Sequence, residues 1–213
     1  MNEYKHIDKL MSRFPELRVC MPQVTDAIAA IAAAFESNNK VLICGNGGSN
    51  SDADHIVGEL MKGFCKKRPL DDELKRRLKA VDSESGTELA DCLQMPLRAI
   101  SLSQHVSLNT AFSNDVDADM MFAQQVLGYG DHGDVLLAIS TSGNARNVYM
   151  AAIAAKAKDL SVILLSGNDG GRISEVSDIS IIVPSVETHI IQEYHLPIYH
   201  TICLEVEDHF FES

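Results

Sequence analysis

The chain has little of several features that define other protein classes. It contains no tryptophan, no Cys-x-x-Cys pair among its five cysteines, and only 18 basic residues against 30 acidic ones. Scattered cysteines in odd number argue against a disulfide scaffold or a zinc ribbon, so we expect reduced and mostly buried thiols. The formal net charge of −12 argues against general nucleic-acid binding, because a phosphate backbone would be repelled.

Long apolar runs and processing signals are also missing. We find no stretch that approaches the ~20 apolar residues of a membrane span, and the polar residues 1–6 lack the pattern of a signal peptide. The sequence therefore predicts a soluble, cytoplasmic protein. With 213 residues, 46% of them apolar, the chain is long enough for one α/β domain with a substantial core but too short for two.

Two glycine- and hydroxyl-rich turns are the most informative feature that is present. They span residues 44–49 and 140–144, and each follows a short β-rich run and precedes a helical pattern. Unpaired backbone N–H groups gather where a strand end meets a helix start, and together with the helix dipole they favour negative charge. Either turn alone could be an ordinary strand–helix connection, but the pair favours a phosphate-sized anion site.

Neither turn carries a nucleotide-binding fingerprint. No Gly-x-Gly-x-x-Gly follows the first predicted strand, and no Gly-Lys-Ser/Thr stands at either turn. We therefore expect no nucleotide cofactor.

The hydrophobic periodicity predicts one domain, residues 1–213, with a doubly wound parallel sheet flanked by helices. Residues 1–38 form N-terminal helices over about 4–14 and 22–35, and a further helix follows Ser49 to about residue 64. Strand patterns occur at 40–43, 98–102, 135–139, 161–165 and 179–183. Strands that alternate with helices indicate a parallel sheet covered on both faces. The polar residues 65–95 look like an inserted helical excursion.

Acid–base residues follow the first turn and recur near the C-terminus. His55 and Glu59 are four apart on a predicted helix, so they share one face, although a solvent-facing ion pair would have the same spacing. His200 lies in a C-terminal helix that is otherwise rich in core residues, where a histidine is more often part of the core than a catalyst. Pro197 should kink this helix and re-aim His200.

One basic cluster stands out against the acidic background. It comprises residues 66–68, 75–77 and 79, and acidic residues at 71–73 lie between its two halves. We interpret it as a solvated helix face balanced by those carboxylates rather than as a binding surface.

Five motifs follow one another along the chain: residues 43–49 with His55 and Glu59, 113–115, 133–144, 167–171, and 191–193 to His200. In this order they resemble the motifs of the sugar isomerase (SIS) domain family, and within it the sedoheptulose 7-phosphate isomerases, also called phosphoheptose isomerases. The resemblance spans nearly the whole chain apart from residues 65–95. Each motif is weak alone, and the ordered set is specific.

The resemblance implies an aldose–ketose isomerase of a seven-carbon sugar phosphate in activated-heptose synthesis, and a homotetramer with shared active sites. It implies that Glu59 takes the proton beside the carbonyl and that His200 moves a second proton. It also implies that Ser49, Ser140, Thr141 and Ser142 hold the phosphate, with Asn46 lining the same site, and that Asp115 and Gln192 bind sugar hydroxyls. The remaining substrate-binding residues that it implies are Gly47, Gly48, Asn114 and Asn144.

A metal is a further implication of the resemblance. Some family members hold zinc with the positions that match His55, Glu59, Gln192 and His200. Two nitrogens and two oxygens suit that ion, but His-x-x-x-Glu is a weak metal signal on spacing alone. The same residues could perform metal-free acid–base catalysis, so both mechanisms stay open.

The sequence departs from the family pattern near both turns. Ala145 stands where many members have serine, and the neighbouring Arg146 could compensate with its guanidinium. Gly63 stands where some members have arginine. Two other functions therefore stay open: an SIS enzyme for another sugar phosphate, and a non-catalytic tetramer that recruits a protein partner. The second is disfavoured because such relatives lose the acid–base residues.

Overall fold

A computed structural model describes residues 4–211 and has a five-stranded parallel sheet at its centre. The strand order is β2-β1-β3-β4-β5, and every neighbouring pair is parallel. The strands are β1 Val41–Gly45, β2 Ala99–Ser101, β3 Val135–Ser140, β4 Ser161–Ser166 and β5 Ile179–Ile182. The predicted doubly wound α/β fold is confirmed.

Ten α-helices connect or flank these strands within residues 4–211. They are α1 Lys5–Arg13, α2 Met21–Glu36, α3 Gly48–Met61, α4 Asp72–Val81, α5 Ser85–Cys92, α6 Val106–Phe112, α7 Met121–Tyr129, α8 Arg146–Ala157, α9 Gly171–Ser174 and α10 Thr188–Phe210. A 3₁₀ helix at Pro15–Cys20 precedes α2, and a π turn at Ser113–Asp117 follows α6. Helix α10 runs through Pro197 without interruption.

Alternation along the strands separates two apolar cores. Val41 and Ile43 of β1 pack in the core that α1, α2, α3 and α10 cover, whereas Leu42 and Cys44 pack in the core under α7 and α8. Because successive side chains of a strand point to opposite faces, a strand covered on both faces is apolar throughout. This explains the short apolar runs that precede the two turns.

One helical stretch differs from the expectation that no segment could span a membrane. Pro15–Glu36 is 22 residues long and apolar enough to do so by length and composition. Half of its most apolar window is buried inside the protein, and Val24, Ile28 and Ile31 pack in the core beneath the sheet. The apolarity of this stretch is therefore that of a core helix.

Residues 65–95 contain a helical hairpin, α4 and α5. The two helices pack closely at Gly86, where an added Cβ would lie 2.1 Å from the carbonyl oxygen of Leu78. The chain enters and leaves the hairpin side by side, through a bridge between Pro69 and Gln94 and a hydrogen bond from Met95 N–H to Arg68 O of 2.7 Å. The division of the chain into N-terminal helices, core and excursion stays a prediction.

The interpretation of the basic cluster is right for α4 and wrong for Arg68. On α4, Arg76 and Arg77 are exposed and pair with Glu73, as expected of a solvated face. Arg68 is instead only 1% exposed and pairs with the equally buried Glu207 of α10. The exposed Lys67 beside it in the sequence concealed a core residue, and the partner of Arg68 lies near the C-terminus.

Candidate active site

The strand order places the two glycine-rich turns at the switch point of the sheet. From β1 the chain moves outward to the edge strand β2, and it then returns to place β3 on the other side of β1. Gly45 at the end of β1 pairs with Ile139 in β3, so the residues that follow both strands leave the same edge. Ligands of such sheets bind beyond the carboxyl ends of the strands at this point.

The first turn directs backbone N–H groups of a helix start toward this edge. Gly47 has φ +57°, a left-handed conformation that favours glycine, and α3 begins at the next residue. Ser49 in the first helical turn is only 3% exposed. Unpaired N–H groups in the first turn of a helix are the usual ligands of a phosphate.

A second glycine requirement shapes the turn after β3. Gly143 has φ +65°, and an added Cβ would lie 1.8 Å from the carbonyl oxygen of Gly170. Residues 167–171 therefore pack directly against the turn, and Ile173 N–H donates to Gly143 O at 3.0 Å. Ser140 is buried at the strand end, while the Ser142 hydroxyl is exposed and accepts a hydrogen bond from Asn144 N–H at 3.2 Å.

Asparagine side chains stabilise both turns. The amides of Asn46 and Asn147 exchange two hydrogen bonds of 2.8 and 2.9 Å, which tie the first turn to the start of α8. Asn144 donates to Ser142 O at 2.9 Å and accepts from Arg172 N–H at 3.1 Å. The side chains of Asn46 and Asn144 thus have protein partners, and their assignment as substrate ligands stays a prediction.

Arg146 and the predicted sugar-binding pair lie on neighbouring segments. Arg146 pairs with Asp119 at 3.0 Å, so its guanidinium is engaged by a carboxylate rather than standing free to replace a serine hydroxyl at position 145. Asn114 and Asp115 are exposed in the π turn after α6, where Asn114 donates to Asp115 at 2.8 Å. The ion pair between Arg146 and Asp119 attaches the segment that carries Asn114 and Asp115 to α8, the helix that follows the second turn.

An acid–base cluster forms where α3 packs against α10. His55 Nε2 lies 3.2 Å from Glu59 Oε1 on one face of α3, as their spacing predicted. The His200 ring of α10 lies with its centroid 5.0 Å from that of His55, and the two rings are nearly perpendicular. Within the described residues, the buried Nε2 atom of His200 has no hydrogen-bond partner. His55 and Glu59 of the first motif therefore meet His200 of the last one.

Gln192 approaches the N-terminal end of α3 instead. An added Cβ at Gly48 would lie 2.5 Å from Gln192 Nε2, so the amide of Gln192 contacts the backbone of the first helical turn. At 1.5 Å per residue, Gly48 and Glu59 are separated by about 16 Å along the helix axis. Helical side chains lean toward the N-terminus, which shortens the gap between the two sites.

Two residues near His55 were not predicted. The Tyr199 hydroxyl lies 3.0 Å from His55 Nδ1 and donates to Asp52 Oδ1 at 3.3 Å. Tyr199 is 2% exposed, and Asp52 lies three residues before His55 on the same helix. That spacing was the available signal for Asp52, whereas Tyr199 resembled any other aromatic residue in an apolar helix.

Burial determines the charge state of several of these groups. Burial and the neighbouring His55 lower the pKa of His200, so its imidazole is neutral near pH 7 and can accept a proton. Burial, with the nearby Asp52, raises the pKa of Tyr199, which therefore keeps its proton. Burial lowers the pKa of His195 to about 4, and its complete burial makes it a neutral core residue.

A buried ion pair holds the C-terminal end of α3. Arg68 donates to Glu207 from Nε at 2.9 Å, and its two terminal nitrogens donate to the carbonyls of Leu60 at 2.6 Å and Glu59 at 3.1 Å. The Glu207 carboxylate also accepts from the N–H groups of Phe64, Cys65 and Lys66. This network joins the helix that carries Glu59 to the helix that carries His200.

The chemistry of the donor set fits a zinc ion only in part. His55 Nε2 and Glu59 Oε1 are close together, and His200 Nε2 is buried without a partner. Across residues 4–211, however, no three His, Cys, Asp or Glu side chains are grouped as a metal site would require. Zinc would therefore need His200 or Gln192 to move toward the His55 and Glu59 pair.

The parallel sheet, with glycine-rich turns at its switch point and an acid–base cluster along the first helix beyond it, is the architecture of an α/β domain for small anionic ligands. The sequence model of the SIS domain family matches residues 4–92 and 84–167. The chain belongs to this family.

Three of its relatives carry the name phosphoheptose isomerase. A phosphoheptose isomerase of Rhodospirillum rubrum is 37% identical over 195 residues, which cover 92% of this chain and 90% of the relative. The solved phosphoheptose isomerase of Neisseria gonorrhoeae has a TM-score of 0.74 at 30% identity, covering 96% of both chains. That of Francisella tularensis has a TM-score of 0.74 at 28% identity, covering 98% of this chain and 100% of that one.

Proposed function

We propose that the protein is a phosphoheptose isomerase, which converts sedoheptulose 7-phosphate to D-glycero-D-manno-heptose 7-phosphate. The observation that carries this proposal is the meeting of Glu59, His55 and His200 along the helix whose start lies in the glycine-rich turn. A phosphate site at one end of a helix and an acid–base cluster further along suit a substrate with phosphate and carbonyl at opposite ends. The named relatives support the same activity.

The reaction needs two proton movements. The Glu59 carboxylate removes the proton from C1 of the open-chain ketose, and the electron pair forms the C1–C2 double bond of an enediol. Neutral His200 exchanges protons with the oxygens on C1 and C2, so that the hydroxyl of one becomes the carbonyl of the other. Glu59 then returns its proton to C2, which gives the aldose. General acid–base catalysis of this kind contributes about 10²–10⁴-fold.

Proton NMR of sedoheptulose 7-phosphate in D₂O with the purified protein tests this activity. We expect the aldose to appear with deuterium at C2, because a carboxylate proton exchanges with solvent during the enediol lifetime. No turnover, with stabilisation by inorganic phosphate retained, would point instead to another sugar phosphate or to a binding role.

Phosphate would be held by the N–H groups of both turns and by the hydroxyls of Ser49, Ser140, Thr141 and Ser142. We expect Ser142→Ala to weaken binding of inorganic phosphate by about 0.5–1.5 kcal/mol, the net worth of one hydrogen bond, measured by calorimetry. Ser83→Ala, at an exposed serine between α4 and α5, is the matched control. Equal affinities for the two variants would contradict the phosphate site.

If zinc binds, His55, Glu59, Gln192 and His200 would hold it. A bound zinc would polarise the sugar carbonyl as a Lewis acid. We expect chelator treatment to reduce turnover and added zinc to restore it, as followed by the same NMR assay. Full turnover after zinc has been removed, checked by metal analysis, would favour acid–base catalysis without metal.

The active protein is a homotetramer in the cytoplasm, as the resemblance implies. Light scattering at micromolar concentration should therefore give a mass of four chains, each of 23.3 kDa. A monomer-sized peak would contradict active sites shared between subunits.

A further inference from the structure

A chain of hydrogen-bonding groups runs through the acid–base cluster and ends in the core. Glu59 Oε1 lies 3.2 Å from His55 Nε2, His55 Nδ1 lies 3.0 Å from the Tyr199 hydroxyl, and that hydroxyl lies 3.3 Å from Asp52 Oδ1. The His55 and Tyr199 rings are also in edge contact, with centroids 5.6 Å apart. The single hydroxyl proton of Tyr199 can therefore be donated either to His55 Nδ1 or to Asp52 Oδ1, but not to both.

Leaving the Asp52 carboxylate without the tyrosine proton would cost more free energy than leaving Glu59 without a proton from His55. The other oxygen of Asp52 is buried with no partner among residues 4–211, and the Tyr199 hydroxyl is the donor to Oδ1. Glu59 has a second partner, Lys62 Nζ, at 3.3 Å. A buried carboxylate without any donor is costly, whereas a carboxylate with a lysine partner loses less. Tyr199 therefore donates to Asp52.

This choice fixes the proton on the imidazole. Because the tyrosine proton points to Asp52, the tyrosine oxygen offers only lone pairs to His55, and His55 Nδ1 must be the donor between them. Nε2 then carries no proton, and its lone pair lies beside Glu59, where it can accept a proton or bind a metal ion. A hydrogen bond at one ring nitrogen commonly sets the role of the other in this way.

We propose that Tyr199, held by Asp52, is a positioning residue that keeps the proton of neutral His55 on Nδ1 and so leaves Nε2 free beside Glu59. The proposal deepens the proposed function, since it concerns the same site. It places a lone pair where an acid–base reaction or a zinc ion would use it. Outer partners that orient a metal-binding histidine in this way are worth 10–100-fold in metal affinity, in order of magnitude.

The ring nitrogens of His55 report the proton directly. In zinc-free protein at about pH 8.5, above the usual titration range of histidine, ¹⁵N NMR should find Nδ1–H, with the signals assigned through His55→Asn. In Tyr199→Phe the Nδ1 partner is gone, and the proton should move to Nε2, where Glu59 accepts it. In Asp52→Ala the tyrosine proton is released to Nδ1, and the same shift should follow.

Tyr194→Phe is the control, because it removes a hydroxyl from the same helix at a residue whose partner is Glu16. Wild-type protein with the proton on Nε2 would overturn the proposal. So would Tyr199→Phe and Asp52→Ala proteins that fold and keep the proton on Nδ1. The Phe variant retains the buried ring, and the Ala variant removes only a carboxylate, so a folding defect in one variant would not be expected in the other and the test would still stand.

Zinc affinity gives a second readout that does not depend on turnover. Competition with a chromophoric chelator should show Tyr199→Phe with a Kd about 10–100-fold higher than wild type, and Tyr194→Phe unchanged. Equal zinc affinities for wild type and Tyr199→Phe would contradict the positioning role toward a metal. A protein that lacks isomerase activity but shows the tautomer shift would refute the proposed function and leave the positioning role standing.

Discussion

Replacing Glu59 with glutamine should reduce isomerisation by about 10²–10⁴-fold while phosphate still binds. The amide has nearly the same shape but cannot remove a proton from C1, and the turns that we propose to hold phosphate lie at the N-terminal end of α3, away from Glu59. The D₂O NMR assay measures both the loss of aldose and the loss of deuterium incorporation. Calorimetry with inorganic phosphate confirms that the binding end is intact.

The exposed carboxylate of Glu88 on α5 provides the control. Glu88→Gln makes the same chemical change away from the cluster and should leave turnover at the wild-type level. Retained turnover in Glu59→Gln would remove Glu59 from the role of base and would direct attention to His200 as the group that moves the carbon-bound proton.

Replacing Arg68 with methionine should destabilise the protein by about 3–5 kcal/mol, the usual effect of breaking a buried ion pair. The side chains of Arg68 and Glu207 are 0% and 1% exposed, so the remaining carboxylate would be buried without its cation. The carbonyls of Glu59 and Leu60 would lose their hydrogen bonds from Arg68 as well, although Leu60 O would still accept from Leu97 N–H. Urea denaturation measures the difference, and Arg76→Met, at an exposed ion pair of α4, should change stability little.

The double variant Arg68→Met/Glu207→Gln tests whether the two residues act as a pair. It should lose less stability than the sum of the single variants, because neither partner is left charged and alone. Additive losses would show that the two side chains stabilise the fold independently.

The same pair predicts a pH dependence of stability. Burial alone would raise the pKa of Glu207, but hydrogen bonds from Cys65 and Phe64 and the Arg68 guanidinium outweigh it, and the pKa lies below its ordinary value. A carboxyl with a lowered pKa contributes stability above its unfolded pKa and loses it as the pH falls through the folded one. Urea midpoints should therefore fall with acidification, and less so in Glu207→Gln.

Local patterns were enough to predict the strands, most helices and the edge of the sheet at which the two glycine-rich turns lie. The runs before the two turns are apolar because both faces of β1 and β3 are buried, which makes such strands visible in a single sequence. The contact between His55 and Glu59 was predicted because helical spacing fixes which residues share a face. These features depend only on neighbours in the chain, and this is why the sequence revealed them.

Long-range partners were beyond such reasoning. Arg68 meets Glu207 and Tyr199 meets Asp52 across separations of 139 and 147 residues, which no periodicity encodes. Arg68 was assigned to the surface because it ends a run of basic residues in which Lys67 is exposed, although the Lys66 side chain is itself only 13% exposed and pairs with Asp208. Cys65 and Cys92 are exposed while Cys20, Cys44 and Cys203 are buried, so the expectation of mostly buried thiols is confirmed.

The closeness of Pro69 and Gln94 has a consequence for the evolution and engineering of this molecule. The α4 and α5 hairpin leaves and rejoins the body at almost one place, just beyond the buried Arg68. Deleting or exchanging the intervening segment would need only a short splice and would leave the anchor intact. We therefore expect that the hairpin can be replaced by a foreign peptide or by a shorter loop joined at Pro69 and Gln94.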